Sequence, residues 1–146
     1  MKAADLGLIG PALDAAMSVE AKFPGAVFTS GRRGVADQAR AMSQNIFGNS
    51  HWIAQTYKAS ASSAELQSWV SLNLKSSMAQ IEAGLAVIMS AWSDDQKRAL
   101  SKHFSGEAFD VRPCADLDLL AFLENMPGMK FLAHEGGLVR WHAQAI

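Results

Sequence analysis

The segment from Ser101 to Asp110 constrains this chain most, because it sets a histidine and an aspartate on either side of a glycine. It follows the pattern S-x-H-x-x-G-x-A-x-D, with His103 and Asp110 seven positions apart. On a regular strand, side chains seven positions apart point to opposite faces of the sheet. Gly106 permits a positive-φ turn or a bulge, which resets the face that the chain presents. We therefore expect His103 on a turn and Asp110 on the next strand, with both side chains on one side.

Histidine and aspartate are ordinary zinc ligands, so this segment predicts a metal site. His142 is a candidate third ligand, because it follows Gly136-Gly137 between two apolar runs, a pattern that predicts a β-hairpin. An antiparallel second arm would bring His142 beside Asp110. Two histidines and one aspartate leave a fourth position open for water, which is typical of a catalytic zinc site. The alternative is a solvated turn, in which His103 is exposed and Asp110 caps a backbone group.

Together these motifs resemble the zinc D-alanyl-D-alanine carboxypeptidase and dipeptidase family. That family includes VanY-type enzymes and phage L-alanyl-D-glutamate endopeptidases, and it shares a fold with the hedgehog signalling domain. The segment from Phe28 to Arg33, continued by Ala36 to Ala39, is similar to the family's S-G-Y-R-S…E-Q-A motif. The resemblance covers roughly residues 20–46 and 100–144, and the motifs occur in the family's order. Residues 47–99 do not align.

The resemblance implies a fold and a role for single residues. The fold would be α+β, with helices packed on a small, mainly antiparallel sheet, and residues 1–146 would form a single zinc peptidase-like catalytic domain. The positions of the family's metal ligands are matched by His103, Asp110 and His142. Ser101 matches a serine that contacts the substrate backbone, and Arg33 matches an arginine that projects into the substrate cleft. The alternative for Ser101 is an ordinary loop residue after a helix.

Two departures from the family pattern bear on mechanism. Arg32 stands in place of the tyrosine of S-G-Y-R, so that Arg33 takes the position of the functional arginine. The family's catalytic carboxylate lies three residues before the last histidine, where this chain has Val139, which cannot transfer a proton. We predict Glu135 as the general base, because the hairpin can fold it back toward the metal. The alternative is that Glu135 is a solvated turn residue and that the base lies elsewhere.

Composition limits the class of protein and its partners. The chain has 146 residues, of which 49% are hydrophobic, which is typical of one globular domain with a real core. A net charge of −1 without a run of basic residues argues against a nucleic-acid partner. We expect no stable membrane insertion, since polar residues interrupt every apolar run. The single cysteine, Cys114, excludes an intramolecular disulfide, and we expect it to be a small buried residue.

The N-terminal residues do not resemble a signal peptide, because Asp5, Pro11 and Asp14 interrupt the apolar residues. We expect synthesis in the cytoplasm and, from the resemblance, action on the cell wall after release by a holin-type route. The resemblance implies Zn²⁺ as cofactor and a peptidoglycan stem peptide as substrate, cleaved by a phage endolysin. The bond would be of the L-Ala-D-Glu endopeptidase or D,D-carboxypeptidase type. We expect a monomer.

Two other classes of function stay open. One is a zinc-stabilised cell-wall-binding module without hydrolase activity, which the valine at the family's catalytic position suggests. The other is a wall hydrolase that cleaves a sugar bond, which needs two paired carboxylates. No such pair stands out in the sequence, so we rank this class last.

Hydrophobic periodicity and turn residues predict the order of elements. Helices are expected at residues 10–22, 35–46, 51–58, 65–74, 77–92, 94–102 and 116–125. Strands are expected at residues 26–30, 108–112, 129–133 and 138–143, with residues 60–63 as a loop. A capping box at Ser93 should begin the sixth helix. We also expect Trp141 in the core, His51 at the surface and His134 turned away from the metal.

Overall fold

Seven α-helices and a four-stranded antiparallel sheet make up the protein, in a computed structural model that describes all residues 1–146. The predicted α+β class is therefore confirmed. A short 3₁₀ helix, Ala3–Asp5, precedes the regular elements. In chain order these are α1 (Gly10–Lys22), β1 (Phe28–Ser30), α2 (Val35–Gly48), α3 (Trp52–Thr56), α4 (Ala61–Leu72), α5 (Met78–Ser90), α6 (Asp94–Leu100), β2 (Ala108–Val111), α7 (Leu117–Glu124), β3 (Met129–Glu135) and β4 (Leu138–Ala145).

The chain separates into two compact units, each with its own hydrophobic core. The first unit contains Met1–Arg32 and Ser105–Ile146, and the second contains Arg33–Phe104. The first unit holds the whole sheet, α1 and α7, whereas the second consists of α2 to α6. That residues 1–146 act as a single catalytic domain stays a prediction.

The sheet of the first unit has the strand order β1-β2-β4-β3. Its β3–β4 hairpin turns at Gly136 and Gly137, whose φ angles of 56° and 79° are the left-handed values that a two-residue hairpin loop requires. The hairpin prediction is confirmed. Since β2 pairs with both β1 and β4, Asp110 lies opposite His142 on one side and opposite Ser30 on the other.

Alternation along the strands separates a core face of the sheet from a polar face. Phe109, Val111 and Trp141 are buried in the core of the first unit. Because neighbouring side chains on a strand point to opposite faces, Asp110 and His142 lie on the other face. The burial of Trp141 agrees with its predicted place in the core.

Gly106 shapes the turn that leads into β2, as the sequence predicted. Its φ is +78°, and a Cβ added there would lie 2.6 Å from the carbonyl oxygen of Gly7. The carbonyl oxygen of Gly106 also accepts a hydrogen bond from the backbone N–H of Ile9, at 2.9 Å. Glycine is therefore required both by the backbone conformation and by the close approach of another backbone segment.

We expect Gly106→Ala to lower the free energy of unfolding by about 2 to 4 kcal/mol, because backbone strain and a steric clash add together. Urea denaturation of the purified protein measures the change. Gly25→Ala is a suitable control, since nothing lies within 4 Å of a Cβ added at Gly25. A loss below about 1 kcal/mol for Gly106→Ala would contradict this account of the turn.

In the second unit, three helices begin with a serine capping box. The N-cap residues are Ser60 for α4, Ser77 for α5 and Ser93 for α6. The box predicted at Ser93 is confirmed. The loop predicted at residues 60–63 is wrong, because the Ser60 hydroxyl accepts a hydrogen bond from the backbone N–H of Ser63 and α4 begins at Ala61. Serine favours helix caps as strongly as loops, so composition alone did not separate the two.

The expected burial of Cys114 is also wrong, since this cysteine is free and exposed. The reason is that β2 ends at Val111, and the residues from Arg112 to Asp116 form an exposed connection into α7. No helix of the protein combines the length and the apolar character that crossing a bilayer requires.

Candidate metal centre

Asp110 and His142 form a direct pair across β2 and β4. The Nδ1 atom of His142 lies 2.9 Å from Oδ1 of Asp110. The His142 side chain is 7% exposed and the Asp110 side chain 21% exposed, so the pair is largely withdrawn from water. The structure brings these two residues together in the way that the hairpin argument predicted.

The remaining polar atoms of this pair also have partners. The Ser30 hydroxyl on β1 donates a hydrogen bond to Oδ2 of Asp110, at 2.8 Å. On the other side, Nε2 of His142 lies 2.9 Å from Oε1 of Gln144. Sequence reasoning assigned no role to either residue. Gln144 could have been found, because it lies two positions after His142 and so shares its face of the strand.

The electrostatics of His142 favour a positive charge at Nδ1. Burial lowers the pKa of His142, but the hydrogen bond and charge of Asp110, the charge of Glu135 and the hydrogen bond to Gln144 together raise it above its usual value. If the Nε2 proton is donated to Gln144, a proton or a metal cation must separate Nδ1 from the carboxylate of Asp110. A metal would compete with that proton, so metal binding should weaken as the pH falls through the raised pKa.

Glu135 lies beside the same nitrogen. Its Oε1 is 3.6 Å from Nδ1 of His142, and its side chain is 27% exposed. It pairs with Leu138, which shares a face of β4 with His142, so the hairpin directs the carboxylate to the polar face. Its neighbour His134 is exposed, in agreement with the expectation that it turns away. Val139, at the family's catalytic position, is 58% exposed.

His103 lies on the turn that follows α6, as predicted. It is buried there, with only 3% of the residue exposed. Its backbone N–H donates to the hydroxyl of Ser101 at 3.3 Å, and its carbonyl oxygen accepts from the backbone N–H of Arg33 at 3.0 Å. Ser101 is the C-cap residue of α6, so this hydroxyl contributes to the local structure of the turn.

Arg33 is half-buried at the start of the second unit. Its Nη1 donates to Oε1 of the buried Gln38 at 3.4 Å, and Nε2 of Gln38 donates to the hydroxyl of Tyr57 at 3.0 Å. The guanidinium of Arg33 is therefore supported by a polar contact within its own unit. His51 is exposed at the N-cap position of α3, as expected.

His103, Asp110 and His142 are residues that could together hold a metal ion, each offering one ligand atom. Both histidines are buried, and the donor set of two nitrogens and one oxygen suits zinc with a fourth position free. The residues present therefore fit the metal that the resemblance implies.

Comparison with known proteins does not place the chain in a family. No family model, no curated protein and no solved structure matches it. The resemblance to D-alanyl-D-alanine peptidases stays an interpretation of the motifs.

Proposed function

We propose that the protein is a zinc-dependent peptidoglycan peptidase that cleaves a stem-peptide bond and acts as a phage endolysin. The bond is of the L-Ala-D-Glu endopeptidase or D,D-carboxypeptidase type. The observation that carries this proposal is the contact of 2.9 Å between Oδ1 of Asp110 and Nδ1 of His142, with the carboxylate of Glu135 at 3.6 Å from the same nitrogen; His103 is the proposed third ligand. The proposal includes that the protein is a monomer, that it is made in the cytoplasm and that it reaches the cell wall through a holin-type route.

The proposed zinc site uses one nitrogen each from His103 and His142 and one oxygen from Asp110. Bound zinc supplies a Lewis acid, which polarises a peptide carbonyl and makes a water molecule more acidic. The two histidine ligands would be neutral and would not offset the charge of Zn²⁺. Asp110 would offset only one of its two positive charges. The burial of both histidines keeps competing water away from these ligands.

Glu135 is the proposed general base. Its Oε1 accepts the proton of the attacking water and then passes that proton to the departing amine. A carboxylate at 27% exposure is open enough to reach a bound peptide, and its distance of 3.6 Å from Nδ1 of His142 keeps it beside the ligand set. Glu135 would take the role of the catalytic carboxylate that the family has at the position where this chain has Val139.

Arg33 and Ser101 are the proposed substrate contacts. The guanidinium of Arg33 is always charged and fork-shaped, so it suits a free carboxylate of the stem peptide. Such carboxylates occur on D-glutamate, on meso-diaminopimelate and at the terminal D-alanine. Contact between Arg33 and Gln38 would hold the fork in one orientation before substrate binds.

Arg33→Ala is expected to lower kcat/KM by about tenfold to a hundredfold, since a hydrogen bond to a charged group contributes about 1.5–3 kcal/mol. The loss should appear mainly in KM. Steady-state kinetics on a synthetic stem peptide measure it, with Arg40→Ala on exposed α2 surface as the matched control. Unchanged kinetics for Arg33→Ala, at unchanged zinc content and melting temperature, would count against the anchor.

A panel of synthetic stem peptides tests the proposed function itself. Zinc-loaded protein should cleave one bond in the series, either between L-Ala and D-Glu or before the terminal D-Ala, and the metal-free protein should cleave none. Liquid chromatography with mass spectrometry identifies the bond. Equal cleavage by the metal-free protein would contradict a zinc peptidase.

The valine at the family's catalytic position favours one alternative, a zinc-stabilised module that binds the cell wall without hydrolysis. Such a module would sediment with purified peptidoglycan and would lose melting temperature on chelation, but it would release no product. The peptide panel separates the two functions, because only the peptidase produces new termini.

A further inference from the structure

We propose that Ser30 and Gln144 are positioning residues, which commit one oxygen of Asp110 and one nitrogen of His142 to the metal. This inference rests on the proposed metal site and adds two residues to it. Both residues belong to the same four-stranded sheet as the pair that they contact.

Gln144 selects the nitrogen of His142 that binds the metal. A neutral imidazole carries its proton on one nitrogen and a lone pair on the other. Oε1 of Gln144, 2.9 Å from Nε2, can only accept a hydrogen bond, so it stabilises the form of the ring that has its proton on Nε2 and binds a metal through Nδ1. The lone pair is then on Nδ1, which is the nitrogen that faces Asp110. Without this acceptor the carboxylate of Asp110 would favour the tautomer with its proton on Nδ1, which presents no lone pair there to the metal.

Ser30 acts in the same way on Asp110. Its hydroxyl donates to Oδ2 at 2.8 Å, which leaves Oδ1 as the oxygen that faces His142. Pairing of β1 with β2 sets Ser30 opposite Asp110, and the irregular register between Phe28 and Ser30 belongs to that same strand pair. Asp110 should therefore bind a metal through one oxygen and not through both.

The two contacts complete a row of polar atoms across β1, β2 and β4. The row runs from the Ser30 hydroxyl through Asp110 and His142 to the Gln144 amide. One ligand atom per residue gives three donors, which leaves a position free at tetrahedral zinc. A carboxylate that binds through both oxygens is instead common for Ca²⁺, so this arrangement also favours zinc over calcium.

Zinc affinity of the full-length protein, measured by competition with a chromophoric chelator, tests the inference. Ser30→Ala and Gln144→Leu should each weaken zinc binding by about tenfold to a hundredfold, as the loss of such supporting hydrogen bonds does in other zinc sites. The conservative variants Ser30→Thr and Gln144→Glu keep the hydroxyl or the acceptor oxygen, so they should bind zinc as tightly as wild type. Melting temperature in the absence of metal checks that each variant is folded.

A nitrogen-15 NMR spectrum of the histidine side chains supplies a readout that a merely structural role would not change. In zinc-loaded protein, His142 should bind zinc through Nδ1 and carry its proton on Nε2, whereas zinc-loaded Gln144→Leu should show a mixture of the two ligation states. A zinc-loaded wild-type protein whose His142 proton is on Nδ1, or wild-type zinc affinity in both Ser30→Ala and Gln144→Leu, overturns the inference. So does a wild-type protein that binds no zinc.

These outcomes are independent of the peptidase proposal, because no peptidoglycan enters the experiment. Weakened zinc binding in both variants of a protein that cleaves no stem peptide supports the positioning role and contradicts the peptidase. Unchanged zinc affinity in both variants of a protein that does cleave a stem peptide contradicts the positioning role and supports the peptidase.

Discussion

Glu135→Gln is expected to retain one bound zinc ion and to lose turnover by about a hundredfold to ten thousandfold. The loss follows because the amide keeps the size of the side chain but cannot accept a proton, and a positioned general base contributes about that factor. Glu135 is a carboxylate beside Nδ1 of His142, at 3.6 Å, and is not itself one of the three candidate ligands. Single-turnover cleavage of a synthetic stem peptide, together with elemental analysis for zinc, measures both quantities.

Glu124→Gln is the matched control, since Glu124 is exposed at the end of α7 in the same unit. It should leave turnover and zinc content unchanged. Cleavage close to the wild-type rate by Glu135→Gln would move the general base to another residue. Loss of zinc by the same variant would instead make Glu135 a ligand.

His103→Ala is expected to abolish both zinc binding and cleavage. Removing one of three protein ligands leaves too few donors to hold zinc, and the activity that depends on the metal should fall by at least about a thousandfold. Elemental analysis after dialysis gives the zinc content, and the peptide assay gives the activity. We predict about one zinc ion per wild-type chain and close to none in the variant.

Because His103 is buried, the alanine variant could also lose stability through a cavity. His103→Gln fills most of the same volume with a much weaker zinc ligand, so it should also lose zinc while staying folded. His51→Ala is the control, since His51 is exposed. Full zinc content in a folded His103→Gln protein would contradict the assignment of this ligand.

The parts of the site that could be predicted from the sequence are the ones that depend on local backbone chemistry. A glycine after His103 predicted the turn before β2, and Gly106 has the required positive φ. Two adjacent glycines predicted the hairpin that sets His142 beside Asp110. Both inferences use only the short-range preferences of glycine and the alternation of side chains along a strand.

The contact between Ser30 and Asp110 could not be predicted in this way, because the two residues lie 80 positions apart. It depends on β1 being the neighbour of β2 and on an irregular register between them, neither of which a local pattern encodes. The contact of Gln38 with Tyr57 likewise links α2 to the C-cap residue of α3. Sequence patterns thus identified the candidate ligands, while the contact of Ser30 that supports Asp110 required the tertiary structure.

Mass spectrometry of the products from purified peptidoglycan tests the central claim most directly. The protein is incubated with purified peptidoglycan as isolated, after chelation, and after chelation followed by added zinc. A zinc peptidase predicts new amino and carboxyl ends at one stem-peptide bond, lost on chelation and restored by zinc. Folded, zinc-loaded protein that releases no product, or product release that survives chelation, would contradict it.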